Sequence, residues 1–291
     1  MLEGIITKGI GGFYYVIVEG TTYECRARGL FRKQNIKPQV GDRVLIRADE
    51  HNKTGYVEEI FERTTELIRP AVSNVNQAII VFAIRNPDPN LWLLDRFLLL
   101  ASSQNLEAVI CINKIDIGSK EEIDNIYKIY ENTGYKIIRT STEEDKGIDE
   151  LKEVLKDKIT VFAGPSGVGK STLLNMVQPD LKLETGAISE KNKRGKHTTR
   201  HTELIKLEMG GFVLDTPGFS SLDLTFLTEE TLAQHFPEIY EVGHLCRFNG
   251  CRHLKEPGCK VKEGVEEGSI SQSRYDNYTM FFKELIDSRR Y

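Results

Sequence analysis

Eight residues near the middle of the chain constrain its fold more than any other segment. Residues 164–171 read Gly-Pro-Ser-Gly-Val-Gly-Lys-Ser and lie between an apolar run, Ile159–Ala163, and a helical pattern over 171–177. This spacing, between a strand and a helix, is typical of a phosphate-binding loop, whose backbone N–H groups converge on phosphate oxygens. Together with the strand–helix alternation over 70–222, it predicts an α/β fold with a parallel sheet covered on both faces.

Two side chains of this loop carry the expected chemistry. The Lys170 ammonium would reach the β- and γ-phosphates of a nucleotide, and the Ser171 hydroxyl would ligate Mg²⁺. Lys170 is also a candidate catalytic residue, and its replacement is expected to abolish turnover. The residues predicted to contact the nucleotide here are Gly164, Pro165, Ser166, Gly167, Val168, Gly169, Lys170, Ser171 and Thr172.

A second motif, upstream of the loop, indicates the base. Residues 113–116 read Asn-Lys-Ile-Asp and follow an apolar run over 108–112. The Asp116 carboxylate can accept hydrogen bonds from guanine N1–H and from the exocyclic N2 amine. Adenine has a donor at neither place and would leave a buried carboxylate unpaired, which costs a few kcal/mol. The motif therefore predicts guanine rather than adenine.

Three neighbours complete the predicted base site. The Lys114 stem would pack on the base, and Asn113 would brace the loop. Ser141 follows the strand predicted over Lys136–Arg139, where a backbone N–H commonly meets guanine O6.

Metal and γ-phosphate contacts are predicted from two later segments. In Asp215-Thr-Pro-Gly218, Asp215 would hold Mg²⁺ through water and the Gly218 N–H would sense the γ-phosphate. In the polar loop over 195–201, a threonine could coordinate Mg²⁺ only when the γ-phosphate is present, which would make the loop a switch. Thr199 is the preferred candidate, and Thr198 is the alternative.

The order of these motifs is itself informative. An ordinary GTPase has the phosphate loop first, then the switch threonine, the Asp-x-x-Gly motif, the Asn-Lys-x-Asp motif and the serine loop. Here the base motifs, 113–116 and Ser141, precede the phosphate loop, and 215–218 comes last. The sequence therefore predicts a circularly permuted GTPase domain, whose Asp-x-x-Gly motif continues directly into the C-terminal region.

The residue after Gly218 is Phe219, where many efficient GTPases have a glutamine that orients the attacking water. An apolar side chain cannot orient water, so we expect slow intrinsic hydrolysis that depends on a partner. His197 is a candidate catalytic residue that could orient the water once a partner orders the loop. Contact of His197 with RNA phosphate or with solvent is the alternative.

Near the C-terminus, Cys246-x₄-Cys251-x-His253-x₅-Cys259 offers three thiolates and an imidazole. Four such ligands suffice for a closed, structural Zn²⁺ site. His244 is a rival ligand, and buried free cysteines or a disulfide are the alternatives to a metal. Cys25 and Cys111 lie in strand patterns and are expected to be core residues.

The first 68 residues show five short alternating strand patterns separated by turn signals, which favours an OB-type barrel, with an SH3-like barrel as the alternative. Although the chain carries a net charge of −4, residues 26–37 hold five basic and no acidic side chains. Residues 191–200 form a second run of this kind. These two runs indicate local RNA contacts within an otherwise acidic chain, with a solvated loop as the alternative for 26–37.

These patterns divide the chain into a barrel (1–68), a permuted GTPase domain (69–222) and a helical zinc-binding domain (223–291). No segment has the apolar length of a membrane span or the pattern of a targeting signal, so we expect a cytoplasmic protein without membrane contact. A monomer is expected.

Four features together resemble one family, the bacterial ribosome small-subunit-dependent GTPase A family. They are the permuted motif order, the barrel with Gly29-Leu-Phe-Arg-Lys33 and Val40-Gly-Asp-Arg-Val44, the segment Gly195-Lys-His-Thr-Thr-Arg200, and the Cys/His cluster. The resemblance covers essentially the whole chain. It implies a late assembly factor that binds 16S rRNA of the 30S subunit near the decoding region in its GTP state. The 30S subunit would stimulate hydrolysis, and the GDP form would leave.

Two other functions stay open at this point. The chain could be an RNA-binding module that uses GTP only as a structural ligand, in which case 30S subunits would not stimulate hydrolysis. It could also be a phosphate-loop ATPase, which the Asn-Lys-x-Asp motif disfavours.

Overall fold

The computed structural model describes residues 1–29, 31, 36–68, 70–181, 183, 202–215, 222–224 and 226–289. In this part of the chain the strands are β1 (Leu2–Ile10), β2 (Phe13–Val18), β3 (Thr21–Ala27), β4 (Arg43–Asp49), β5 (Thr54–Ile60), β6 (Glu66–Leu67), β7 (Val72–Ser73), β8 (Gln77–Ala83), β9 (Glu107–Asn113), β10 (Lys136–Arg139), β11 (Ile159–Ala163), β12 (Leu204–Lys206) and β13 (Phe212–Leu214). The α-helices are α1 (Leu91–Ser103), α2 (Lys120–Tyr130), α3 (Ile148–Leu155), α4 (Lys170–Val177), α5 (Pro237–Gly243), α6 (Lys260–Glu267) and α7 (Gln272–Ser288).

Two compact units contain these elements. The first takes in Met1–Ala78, Lys152–Phe162 and the described residues of Gly186–Ser221. The second takes in Ile79–Leu151, the described residues of Ala163–Thr185, and those of Leu222–Tyr291.

The first unit contains a closed barrel with the strand order β1-β2-β3-β5-β4. β1 pairs with β4 to close it, and β3 and β5 pair in parallel. Alternating residues of the strands point inward and form an apolar core that includes Ile6, Val16, Val44, Ile46 and Val57, all fully buried. This is the five-stranded OB-type arrangement, and it confirms the predicted barrel.

The segment Val40-Gly-Asp-Arg-Val44 closes against the chain that follows the barrel. Gly41 has φ +91°, and a Cβ there would lie 2.0 Å from the Ser73 carbonyl oxygen, so only glycine fits. Asp42 is fully buried and accepts two hydrogen bonds from Arg63, at 2.7 and 2.9 Å. Because Arg63 also donates to the Lys37 carbonyl at 2.8 Å, this pair fixes the backbone at the end of the basic run 26–37.

The central sheet has the strand order β10-β9-β8-β11-β13-β12. β9 and β10 are parallel, as are β11 and β13, whereas β12 is antiparallel to β13. β8 and β11 are buried along their whole length, and β9 from its second residue onward. Parallel strands buried on both faces appear in sequence as continuous apolar runs, which explains why these strands could be predicted. The α/β class is confirmed.

In the second unit, α1 packs against the C-terminal helices around a buried ion-pair network. The Arg274 guanidinium, only 1% exposed, donates to Asp95 at 2.6 Å and to Glu238 at 2.7 Å. Tyr130 and Asn277 also donate to Asp95, at 2.8 and 2.6 Å. Every charge in this network therefore has a hydrogen-bonded partner, which burial requires.

The elements around the site have bounds close to the predicted ones. The strands predicted over Lys136–Arg139 and Ile159–Ala163 have these bounds, the strand over 108–112 is observed as Glu107–Asn113, and the helix over 171–177 is observed as Lys170–Val177. α2 begins with a capping box of Ser119 and Glu122. It ends at Tyr130 because Thr133 N–H and its hydroxyl both donate to the Tyr130 carbonyl, and Gly134 then takes a positive φ.

Candidate functional site

The phosphate-binding loop joins β11 to α4. Gly164, Gly167 and Gly169 have φ values of +129°, +82° and +97°, which side chains rarely adopt. A Cβ at Gly164 would lie 2.0 Å from the Val81 carbonyl oxygen, and one at Gly169 would lie 2.4 Å from Asn113 Nδ2. The glycines therefore let this loop approach its neighbours as closely as it does.

Lys170 is the first residue of α4 and folds back over the loop. Its Nζ donates to the carbonyl oxygens of Gly164 and Pro165, at 2.8 and 2.7 Å. Burial lowers the pKa of Lys170 to about 8, because removal from water disfavours the charged form. The ammonium lies beside the loop whose N–H groups are expected to bind phosphate.

The Asn-Lys-x-Asp segment lies against the phosphate loop. Asn113 ends β9 and is buried, and its Nδ2 donates to the Val168 carbonyl at 2.8 Å. Its Oδ1 accepts a hydrogen bond from Thr140 at 3.0 Å. Lys114 has a left-handed backbone, and its Nζ donates to the Gly167 carbonyl at 2.7 Å and to the Asn86 carbonyl. The structure thus brings together the base motif and the phosphate loop.

Asp116 and Ser141 are hydrogen-bonded to each other. The Ser141 hydroxyl donates to Asp116 Oδ1 at 2.6 Å and accepts from the Glu144 N–H at 3.1 Å. The backbone N–H of Ser141 donates to the Lys146 carbonyl at 3.1 Å. In this arrangement Ser141 orients Asp116 through its hydroxyl.

A cleft of about 330 Å³ opens beside Asp116 and is lined by Ile115, Asp116, Gly118, Lys120, Ile123, Asp124, Arg139, Glu144 and Lys146. Among these residues only Asp116 was predicted from the sequence.

Thr140, which fixes Asn113, was also missed. Thr140 directly precedes the predicted Ser141. Parallel pairing of β9 with β10 places Arg139 opposite Ile112, so the next residues of the two strands, Thr140 and Asn113, are neighbours. Parallel strands with their carboxyl ends at one edge are the signal that could have indicated Thr140.

Asp215 belongs to the other unit. It directly follows β13, is exposed, and its N–H donates to the Glu203 carbonyl at 3.0 Å. The remaining predicted switch and catalytic residues lie outside the described residues; they are His197, Thr198, Thr199, Gly218 and Phe219.

The Cys/His cluster is assembled between α5 and α6. The ligand atoms of Cys246, Cys251, His253 and Cys259 all lie within 4.8 Å of one another, and His244 is not in the group. The Sγ atoms of Cys246 and Cys259 are 3.9 Å apart, and His253 Nδ1 lies 3.6 and 3.5 Å from them. A tetrahedral site with bonds of about 2.3 Å to sulfur and 2.0 Å to nitrogen has edges of about 3.8 and 3.5 Å. The donor atoms of Cys246, His253 and Cys259 therefore fit three corners of a tetrahedral metal site, and Cys251 Sγ lies within 4.8 Å of each of them.

The surroundings of the cluster also suit a metal. Burial lowers the pKa of His253, which favours the neutral imidazole that can bind a metal. A Cβ at Gly243 would lie 3.1 Å from His253 Nε2, so glycine leaves room for the ring. Tyr275 and Tyr278 donate to the carbonyls of His253 and Arg252, at 2.7 and 3.0 Å. The loop is thus held to α7 through its backbone carbonyls.

All five cysteines are free, so the disulfide alternative is wrong. Cys25 and Cys111 are fully buried, as predicted, and burial raises their pKa values to about 11 and about 12. Both are inert thiols at neutral pH.

Over the described residues, every helix is too short or too polar to cross a membrane.

Two family models match the chain. The RsgA GTPase model matches residues 60–225, and the RsgA N-terminal domain model matches residues 3–57.

Curated relatives and solved structures match over nearly full length. The small ribosomal subunit biogenesis GTPase RsgA of Alkaliphilus metalliredigens is 52% identical over all of both chains, and the Clostridium perfringens protein of the same name is 51% identical over 99% of each. The crystal structure of YjeQ from Thermotoga maritima has a TM-score of 0.87 and 39% identity over 98% of each chain. YloQ, described as a circularly permuted GTPase, has a TM-score of 0.85 and 44% identity over 99% of this chain and 96% of its own. The chain therefore belongs to the RsgA GTPase family.

Proposed function

We propose that this chain is a GTP hydrolase that acts in biogenesis of the small ribosomal subunit. In this proposal it binds 16S rRNA of the 30S subunit in the GTP state, the subunit stimulates hydrolysis, and the GDP form leaves. The observation that carries it is the hydrogen bond between Asn113 and Val168, which joins a guanine motif to a phosphate loop. The names of the full-length relatives support the ribosomal role.

The proposed nucleotide contacts follow the site as described. Asp116, oriented by Ser141, reads the base, while Lys114 and Asn113 hold the adjoining loop. Gly164, Pro165, Ser166, Gly167, Val168, Gly169, Lys170, Ser171 and Thr172 receive the phosphates.

Ser171, Thr199 and Asp215 would hold Mg²⁺, Asp215 through water. The ion would offset charge on the phosphate oxygens. The Gly218 N–H senses the γ-phosphate, and His197 orients the attacking water once the 30S subunit is bound.

The metal of the Cys/His cluster is proposed to be zinc with a structural role. Three sulfur ligands and one nitrogen ligand select zinc over magnesium or calcium, which prefer oxygen. Because Cys246, Cys251, His253 and Cys259 complete a four-coordinate site, no position is left for a substrate.

RNA contact is proposed at the barrel and at the two basic runs, 26–37 and 191–200. On the barrel surface, the Arg47 guanidinium lies 5.6 Å from the ring centroid of Tyr56, which is 47% exposed. Arg26 lies 4.8 Å from the Phe13 ring. Such pairs offer a cation for phosphate together with a ring on which an exposed base can stack.

The division into 1–68, 69–222 and 223–291 is proposed as the functional organisation, with a monomeric, cytoplasmic protein acting on the subunit.

Co-sedimentation with purified 30S subunits tests the partner. We expect the chain to sediment with 30S subunits in the presence of a non-hydrolysable GTP analogue, and to do so less with GDP. The matched control is the 50S subunit. Equal binding to 30S and 50S subunits, or to neither, would contradict the proposal.

A further inference from the structure

Glu203 contacts both the barrel and the strand that leads to Asp215. Its carboxylate accepts a hydrogen bond from Lys8 Nζ at 2.6 Å, and its backbone forms an antiparallel bridge with Lys8 of β1. On its other side, the Glu203 carbonyl oxygen accepts the Asp215 N–H at 3.0 Å. One residue therefore fixes the position of Asp215 relative to the barrel strand. All three residues lie in the first unit.

The barrel strand is shaped for this contact. The pairing of β1 with β2 shifts register between Ile6 and Lys8, so Thr7 is an extra residue on β1. Thr7 is buried, and its hydroxyl donates to the Tyr15 carbonyl at 3.3 Å. A bulge of this kind changes the direction in which the next side chain points, and here the next residue is Lys8.

The edge of β1 at Lys8 is also available for pairing. β4 pairs with β1 only from Leu2 to Ile5, so the later part of β1 has no β4 partner. Glu203 bridges to this free edge, and β12 then continues antiparallel to β13, with Leu204 opposite Leu214. The barrel is thereby connected through backbone pairing to the strand that precedes Asp215.

The ion pair contributes little to folding. Its side chains are 32% and 38% exposed, and pairs this accessible to water contribute little to the free energy of unfolding. Its removal is therefore expected to leave the fold intact, so a functional effect of removing it can be measured.

We propose that Glu203 is a positioning residue that couples the nucleotide state to the barrel. It holds the N–H of Asp215, a residue that the proposed function, on which this inference rests, assigns to Mg²⁺. A change at Asp215 on loss of the γ-phosphate would move Glu203, and with it Lys8 and β1. The RNA affinity of the barrel would then depend on the bound nucleotide.

Charge reversal tests this coupling. The affinity of the full chain for 30S subunits is measured with a non-hydrolysable GTP analogue and with GDP, and the ratio of the two affinities is the readout. We expect Glu203→Lys and Lys8→Glu each to lower this ratio about fivefold or more, and the double exchange Lys8→Glu with Glu203→Lys to restore most of it. Because the two single changes alter net charge in opposite directions, a general effect of charge on RNA binding cannot lower both ratios.

The matched control is Glu150→Lys, which breaks the Lys136–Glu150 pair, 3.7 Å apart and 47% and 49% exposed. It is expected to leave the ratio unchanged. Melting temperatures and affinities of the free variants for GTP are expected to match those of the parent chain. Should a charge-reversed chain not fold, Lys8→Met and Glu203→Gln carry the same expectation for the ratio.

The outcomes separate this inference from the proposed function. A parent chain whose 30S affinity does not depend on the nucleotide overturns the proposed function, and the coupling with it. A nucleotide-dependent parent chain whose ratio survives both single changes overturns the coupling alone. Lowered ratios that the double exchange does not restore also overturn the coupling through this pair.

Discussion

Asn113 and Val168 lie 55 positions apart in the chain, yet the side chain of the first donates to the carbonyl of the second at 2.8 Å. The contact joins the base motif to the phosphate loop, although the base motif comes first in this chain. Permutation changes the order of the strands in sequence, but the carboxyl ends of neighbouring parallel strands still meet at one edge of the sheet. The site is therefore preserved by sheet topology.

Replacement of Asp116 tests the assignment of the base. In Asp116→Asn, the amide cannot accept both guanine donors, so we expect GTP affinity to fall roughly a hundredfold and preference to shift to xanthosine triphosphate. Competition binding with the two nucleotides measures this. Asp124→Asn, which changes another carboxylate of the same cleft, is expected to keep GTP preference. Retained GTP preference in Asp116→Asn would refute the role of Asp116.

The lowered pKa of Lys170 predicts a pH dependence of GTP binding. Burial sets this pKa to about 8, so the free chain loses the Lys170 proton as pH rises through 8. The phosphates of bound GTP favour the charged lysine, so binding above pH 8 takes up a proton. The Kd for GTP therefore increases as pH rises, approaching a tenfold increase per pH unit. Titrations between pH 7 and 9 measure the slope. Lys170→Arg, whose guanidinium stays charged, is expected to show a flat profile, and parallel profiles of the two proteins would contradict this prediction.

The Cys/His cluster predicts one zinc ion per chain, measurable by elemental mass spectrometry. Cys259→Ser is expected to lose the zinc and to lower the melting temperature by roughly 10 °C, because metal binding free energy contributes to folding. Cys25→Ala is the control, since Cys25 lies in the barrel core. A chain that retains full zinc content after Cys259→Ser would exclude Cys259 as a ligand.

Among the charged residues of its network, Arg274 is the one whose replacement is expected to lower the free energy of unfolding most. Arg274→Leu leaves Asp95 and Glu238 buried without their cation, which costs about 3–5 kcal/mol and lowers the melting temperature by roughly 6–20 °C. Arg85→Leu, which removes the pair between Arg85 and Glu122, whose side chains are 50% and 38% exposed, should cost less than about 1 kcal/mol. Thermal unfolding of the two variants makes the comparison, and equal losses would contradict it.

The loss in Arg274→Leu should also depend on pH. Burial already raises the pKa of Asp95, and Arg274 counteracts this effect. Without Arg274 this pKa rises further, so the folded state binds the proton more tightly than the unfolded state does. The variant is therefore expected to lose less stability at pH 5 than at pH 8.

Local sequence patterns predicted the elements and motifs whose structure depends on neighbouring residues. The phosphate loop between β11 and α4 is an example, because glycine spacing and flanking periodicity specify it. The Arg274–Asp95 pair could not be predicted, since its members are 179 positions apart and neither helix pattern indicates a buried charge. The Lys8–Glu203 contact depends on a bulge and on a free strand edge, which also leave no local signal. The hydrogen bond of the Ser141 N–H to Lys146 is set by a local turn that the serine motif does not specify.

The rate of GTP hydrolysis with and without purified 30S subunits is the most direct test of the proposed function. We predict that saturating 30S subunits raise the rate of the parent chain at least about tenfold, that 50S subunits do not, and that Lys170→Ala shows no turnover in either case. A parent chain that binds GTP and 30S subunits but shows less than about tenfold stimulation would contradict the proposed function and favour an RNA-binding module with GTP as a structural ligand.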